Sequence, residues 1–413
     1  MKKYFLTLAV GISLLVTSCK RELEEIAPAT THSSVRAGSV GDLKILQFDP
    51  LLFKTRVDTY LNTQGLSGYA YAVFVKGQRV AEAGGWSGMA RKNIDAPGVG
   101  HSPVMRQEIA SCSKYITTLA MIRMLERANL SLDTPIWPFV PSYMDPAPNF
   151  KNISFRQLLS HHTGLIGGIG DVQISLAEMQ QTVEGGINFS LYNNYQYNNM
   201  NFALCRLLLP YVYWKQVQKL GMNQINGMEA NLTNLDTQTA NVFLSFVRQD
   251  VFKEAGLVNW QTLGAADPTP PNNSPVLYYN NNQLNFAGVS VSGSNDIRNL
   301  GSAGFDLNAN ELAQITAAAH ANKIVSEASM NAIRTGYKGF PLGFNNSAVG
   351  DHGTYFYKYG DITQNSNNRS GGLATMLVDF GSSNVQVAVV ANQNNTNVSN
   401  ISWIRWAFDN SWK

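Results

Sequence analysis

Ser111 and Lys114 stand three residues apart in "EIASCSKYITTLAMIRMLE" (108–126), at the mouth of a run made mostly of Ile, Leu, Met and Ala. On a helix that spacing places both side chains on one face, with Cβ atoms about 5–6 Å apart. A serine hydroxyl is a weak nucleophile until a neighbour removes its proton, and a lysine amine within reach can do so. The pair therefore points to acyl transfer through a covalent serine intermediate. A hydroxyl at a helix start has a second reading, as an N-cap. Cys112 has no His-containing partner motif and reads as a small packed residue.

The run after Ser111 is apolar almost all round, so it must be buried at the centre of the fold. Residues 68–86, "GYAYAVFVKGQRVAEAGGW", read as a hairpin turned at Lys76-Gly77, and residues 372–393 as another turned at Gly381-Ser382-Ser383. Helical patterns occupy 114–127, 155–160, 201–219, 236–254 and 308–320, the last capped by Asn308. Strands at both termini with helices between imply an α/β (α+β) fold. Its antiparallel sheet comes from about 45–110 and 335–413, flanked by helices, with a mostly helical region over about 111–334.

The chain opens "MKKYFLTLAVGISLLVTSCK": two lysines, an apolar run short for a bilayer span, then small residues ending at Cys19. This is a secretory leader, and Val16-Thr17-Ser18-Cys19 resembles the lipobox of bacterial lipoproteins. That resemblance makes 1–19 a lipoprotein signal peptide and Cys19 a lipid anchor, holding the protein to a membrane of the cell envelope, facing the periplasm or the cell surface. Residues 20–44 are polar and unpatterned and read as a flexible tether, leaving 45–413 for the folded domain.

Of the 413 residues 44% are hydrophobic, enough for a large core, while 14% are charged with a net charge of +3. No basic stripe for nucleic acid follows from that balance. Three cysteines rule out a disulfide framework and show no metal-ligand spacing. Cys112 and Cys205 could pair in an oxidising periplasm, although nothing in the sequence brings them together.

A lone Ser-x-x-Lys is weak evidence, and order and context add the weight. Over nearly all of 45–410 the chain resembles the serine β-lactamase and penicillin-binding-protein superfamily, in its class C, low-molecular-weight peptidase and esterase branch. "IASCSKYITTLAMIRMLERANLSLDTPIWPFVP" is similar to the family's nucleophile helix and its "G-x-L-x-L-D-x-P…P" connection. "ISFRQLLSHHTGL" is similar to its "L-L-T-H-T-S-G-L" loop, "YNNMNFALCRLLL" to its Tyr-x-Asn loop and following helix, and "VFKEAGL" and "GSAGFDLNANELAQI" to two later segments. Tyr-x-Asn occurs at Tyr192, Tyr197, Tyr278 and Tyr279, and only Tyr197 is followed at once by an amphipathic helix, so the resemblance selects Tyr197 and Asn199. The third motif falls on Lys358-Tyr359-Gly360, just ahead of the closing strands, rather than on Lys219-Leu220-Gly221 or His162-Thr163-Gly164.

The resemblance implies a serine hydrolase acting through an acyl-enzyme on a small ester, amide or D-amino-acid peptide bond, with no metal or cofactor. The narrower alternatives are a true β-lactamase or a D-Ala-D-Ala carboxypeptidase. A different class is a non-catalytic relic of the fold that binds the cell wall. Ser111 would be the nucleophile, and Lys114, or Tyr197 as phenolate, its base. An ionised tyrosine at neutrality needs its pKa to fall about three units, roughly 4 kcal/mol. One ammonium at ~4 Å supplies about 4 kcal/mol at an effective dielectric near 20, so Lys114 and Lys358 together would suffice. The oxyanion would lie between the backbone N–H groups of Ser111 and Asp361, beside Gly360, and Asn199 would orient the substrate's acyl amide. Tyr359 and Asp361 replace the small or hydroxylated residues the family carries there. An Asp361 side chain pointing into the pocket would repel carboxylate-bearing substrates and favour an amine or a neutral ester. The segment "ITQNSNNRSGG" after it is longer than the family's turn and would remodel the rim.

Overall fold

The computed structural model describes residues 46–168, 173–265, 274–280, 287–289, 296–366 and 369–413. Cys19, the leader and the tether lie outside the described residues.

The helices are α1 (Pro50–Asn62), α2 (Ser113–Ala128), α3 (Phe155–Leu159), α4 (Leu176–Gly185), α5 (Met200–Val212), α6 (Met222–Glu229), α7 (Leu232–Val247), α8 (Ala309–His320), α9 (Glu327–Thr335) and α10 (Ile401–Asp409). The strands are β1 (Gly68–Val75), β2 (Gln78–Arg79), β3 (Gly85–Arg91), β4 (Val99–Gly100), β5 (Gln107–Glu108), β6 (Tyr279–Asn280), β7 (Asp306–Leu307), β8 (Asn346–Gly350), β9 (Gly353–Ser366), β10 (Arg369–Phe380), β11 (Val385–Ala391) and β12 (Gln393–Asn394). The main sheet runs β12-β6-β10-β11-β1-β3-β4, with β9 on β10, β8 on β9 and β2 on β1. Its β1–β11 ladder, Tyr69 opposite Ala391 through Val75 opposite Val385, joins the first strand to the last antiparallel. The sheet drawn from both termini is therefore as the sequence implies.

The strand sequences explain the layering. β11, "VQVAVVA", is buried at every position because both faces of the sheet are covered. Val385, Val387 and Val389 pack with Tyr69, Tyr71 and Val73 under α1 and α10, whereas Ala388 and Val390 join the core on the helical side. There α8 lies against β1, β10 and β11, and α2 packs on α5 and α7. Burial from several sides accounts for an α2 whose residues 113–122 are all buried.

Both hairpins turn where expected, Lys76 and Gly77 taking φ values of 50° and 75°. Asn308 caps α8 in a reciprocal box with Glu311. The helices expected over 201–219 and 236–254 divide: α5, which contains Pro210, and α7 each end in a π-helical turn, Tyr213–Val217 and Arg248–Phe252. "ITQNS" is a continuation of β9, paired to Ser366 opposite Arg369, and the rim segment is thus the end of a long hairpin whose residues 367–368 lie outside the described ones.

Candidate active site

Three elements deliver the reactive groups. β5 pairs with β7 and leads into a tight turn, Ala110–Cys112, from which α2 continues. Ala110 takes φ 48°, a left-handed conformation that an L-residue holds only under constraint. Ser111 follows it and makes no cap bond with α2; its hydroxyl is instead engaged with the site. Lys114 Nζ lies 3.0 Å from Ser111 Oγ and donates to the Ser302 carbonyl at 2.6 Å. Tyr197 Oη lies 2.6 Å from Ser111 Oγ. The spacing of 111 and 114, and Tyr197 among the four Tyr-x-Asn candidates, thus meet at one hydroxyl. The other three tyrosines bond elsewhere, Tyr192 to the Asn152 carbonyl, Tyr278 to the Glu108 amide and Tyr279 to Asp95.

β9 brings the third motif. Lys358 is buried, and its Nζ and that of Lys114 each lie 5.0 Å from the centre of the Tyr197 ring. Gly360 faces the nucleophile turn so closely that a Cβ there would lie 2.7 Å from Ser111 N and 2.8 Å from the Ile109 carbonyl. Beyond β8 no further strand among the described residues pairs with that edge of β9. Tyr357 O accepts from Asn345 N, and Tyr359 N donates to Asn345 Oδ1, along that edge. By strand alternation the N–H of Asp361 is the next donor in the row, so it and Ser111 N are positioned for an oxyanion.

Asn199 lies at the start of α5, buried, with Oδ1 lacking a protein partner and its side chain not used as a cap. It is an acceptor awaiting a donor, as an acyl amide would supply. Its loop is held by His161, whose Nδ1 accepts from Asn198 N at 3.2 Å and Asn201 Nδ2 at 3.1 Å. The proton is thereby on Nε2, and the ring packs 4.5 Å from that of Tyr197.

Two sequence expectations change. Burial pushes the Tyr197 hydroxyl above its ordinary range, outweighing the influence of its contact with Ser111. Burial holds Lys114 well below the usual ammonium range, with the Lys358 charge adding to it, and brings Lys358 down to about 8. A phenol raised by burial beside an amine lowered by burial favours Lys114 over a Tyr197 phenolate as the acceptor of the Ser111 proton. The Asp361 side chain does not enter the pocket beside Ser111. It lies on the face of β9 opposite Lys358, where Ser399 Oγ donates to it at 2.5 Å. A contact repulsion of carboxylates is thereby removed, and only the field of the charge remains. Cys112 and Cys205 are both free and buried.

Sequence reasoning passed over Glu108 and Ser302. Glu108 is buried, and its Oε1 accepts from Ala110 N at 3.1 Å and Gly304 N at 2.7 Å. One oxygen thus ties the strained turn before Ser111 to the loop whose carbonyl anchors Lys114. Ser302 acts through its backbone, for which no side-chain signal exists. Burial pushes the Glu108 carboxyl up to about 8. The protonated acid is favoured in the folded state, so its contribution to stability is fully present below pH ~4.5 and is lost as pH rises through about 8. Glu108→Gln keeps an acceptor at that oxygen without titrating. Its melting temperature should gain on wild type as pH rises from 5 to 9, by an equivalent of on the order of 3 kcal/mol. Parallel melting curves of the two proteins across that range would show that Glu108 does not titrate there.

The family model described as Beta-lactamase matches residues 53–225, which include Ser111, Lys114, Tyr197 and Asn199. Over that stretch the chain is similar to the serine β-lactamases, and its fold is theirs and that of the penicillin-binding-protein homologues. Solved structures of this fold superpose on most of the chain. A β-lactamase/D-alanine carboxypeptidase from Pseudomonas syringae covers 86% of this chain and 97% of its own, with a TM-score of 0.61 at 15% identity. A class C β-lactamase from Rhodobacter sphaeroides covers 87% and 97% with a TM-score of 0.59 at 14% identity. A D-stereospecific amidohydrolase from Streptomyces sp. covers 85% and 97% with a TM-score of 0.55 at 14% identity. At these identities the likeness is one of fold. No curated protein matches the sequence.

Proposed function

We propose that this protein is a serine hydrolase of the β-lactamase and penicillin-binding-protein superfamily that acts through an acyl-enzyme on a small ester, amide or D-amino-acid peptide bond. The observation that carries the reading is the shared contact of Lys114 and Tyr197 with Ser111 Oγ, at 3.0 and 2.6 Å. In the proposed reaction Lys114, unprotonated, takes the proton of Ser111 as Oγ attacks the carbonyl carbon. The N–H groups of Ser111 and Asp361 hold the oxyanion. As the tetrahedral species collapses, the bond to the leaving group breaks and that group takes its proton from the Lys114 ammonium by way of the Tyr197 hydroxyl. Water then repeats the sequence on the acyl-enzyme and releases the acid.

A fluorophosphonate probe followed by a panel of p-nitrophenyl esters, D-amino-acid amides and nitrocefin tests this. Labelling with turnover of esters or amides supports the reading, and efficient nitrocefin hydrolysis would instead make it a true β-lactamase. A folded chain that the probe leaves unlabelled would be a binding relic.

For location we propose an envelope lipoprotein anchored through Cys19, from the leader sequence. Cys19→Ser should move the protein from the membrane to the soluble periplasmic fraction; a variant that stays with the membrane would overturn the anchor.

A further inference from the structure

Any substrate whose carbonyl oxygen is held by the N–H of Asp361 lies close to that residue's own carboxylate, whichever face of the strand the side chain takes. The carboxylate carbon is three bonds from the donating nitrogen, which places the charge within about 7 Å of the reacting carbonyl. Asp361 is exposed, its side chain accepts from the neutral Ser399 hydroxyl, and no Lys or Arg among the described residues forms an ion pair with it. Its charge reaches the nucleophile turn, where it opposes ionisation of the Cys112 thiol. The two lysines of the site are placed differently, both buried beside the Tyr197 ring and neither paired with Asp361.

On the reading of the site as a serine hydrolase, we infer that Asp361 selects substrates bearing a cationic amine next to the scissile carbonyl and disfavours those bearing an anion there. The bond from Ser399 draws the carboxylate to the far face, which limits its repulsion of the oxyanion while leaving its field over the substrate. The selection is electrostatic and is therefore one of degree. At about 6–7 Å, between a watery and a partly shielded dielectric, it amounts to a three- to thirtyfold preference in kcat/KM.

The test uses alanine thiobenzyl esters with a free amine, an N-acetyl or an N-succinyl group, assayed at about pH 6.5 where an α-ammonium is charged. The expected order is amine, then acetyl, then succinyl, compressed by added salt. Asp361→Asn, which retains an acceptor for Ser399, should reduce the amine-to-succinyl ratio three- to thirtyfold. Rates of Ser111 labelling by matched cationic, neutral and anionic phosphonate esters provide the same comparison without turnover. A wild-type enzyme that takes the succinyl ester as fast as the amine would overturn the proposal. So would an Asp361→Asn change that scales all three substrates equally. Failure of the serine hydrolase reading itself would look different, with neither labelling nor hydrolysis of the neutral ester.

Discussion

Ser111→Ala should abolish fluorophosphonate labelling and lower turnover by at least about 10⁴-fold, the scale on which removing a nucleophile acts. The fold should survive. Ser111 caps nothing, and Lys114, its buried neighbour, keeps the Ser302 carbonyl as a partner. The loss of stability should therefore stay within about 1 kcal/mol, the worth of one hydrogen bond. The control is Ser113, which is fully buried and accepts from the Phe305 amide at 3.3 Å. Labelling that persists in Ser111→Ala and disappears in Ser113→Ala would move the nucleophile.

Lys114→Met should reduce the acylation rate about 10²–10⁴-fold, the usual range for a general base. In the wild type the rate should rise with pH as Lys114 loses its proton, since only the free amine accepts from Ser111. Burial is the main cause of the lowered Lys114 pKa and the Lys358 charge the second. Lys358→Met removes that repulsion, so the ammonium of Lys114 persists to higher pH and the acid limb of kcat/KM shifts upward. Tyr197→Phe separates the two candidate bases. With Lys114 as base the variant slows but keeps its acid limb, because the phenol serves the leaving group. If Tyr197→Phe erases the limb and costs as much as Lys114→Met, the phenolate is the base after all.

Much of the frame is legible in local sequence. Lys76-Gly77 is a two-residue hairpin turn, Asn308 and Glu311 form a capping box, and the β11 run, apolar but for Gln386, has the character of a strand covered on both faces. Helices not foreseen carry similar signals. α1 begins with Asp49 as N-cap and Pro50 behind it, and α4 with a Ser175–Glu178 box. These are interactions between residues a few positions apart, so short segments encode them.

The sequence by itself determined which chemistry was at stake, because a serine and a lysine three residues apart on a helix share a face whatever the rest of the chain does. Motif order then nominated Tyr197 and Lys358, at a distance from Ser111 in sequence that no periodicity bridges. Tertiary structure decided the surroundings that lower both lysines, because burial of Lys114 and Lys358 depends on what α5 and β9 pack around them. It also decided the direction of Asp361, which follows from the pleat of β9 and from Ser399, 38 residues further on. Glu108 shows the same division. Its neighbour Ala110 is two residues away, but its role exists only because the loop ending at Gly304, 196 residues distant in the chain, folds back onto the same oxygen.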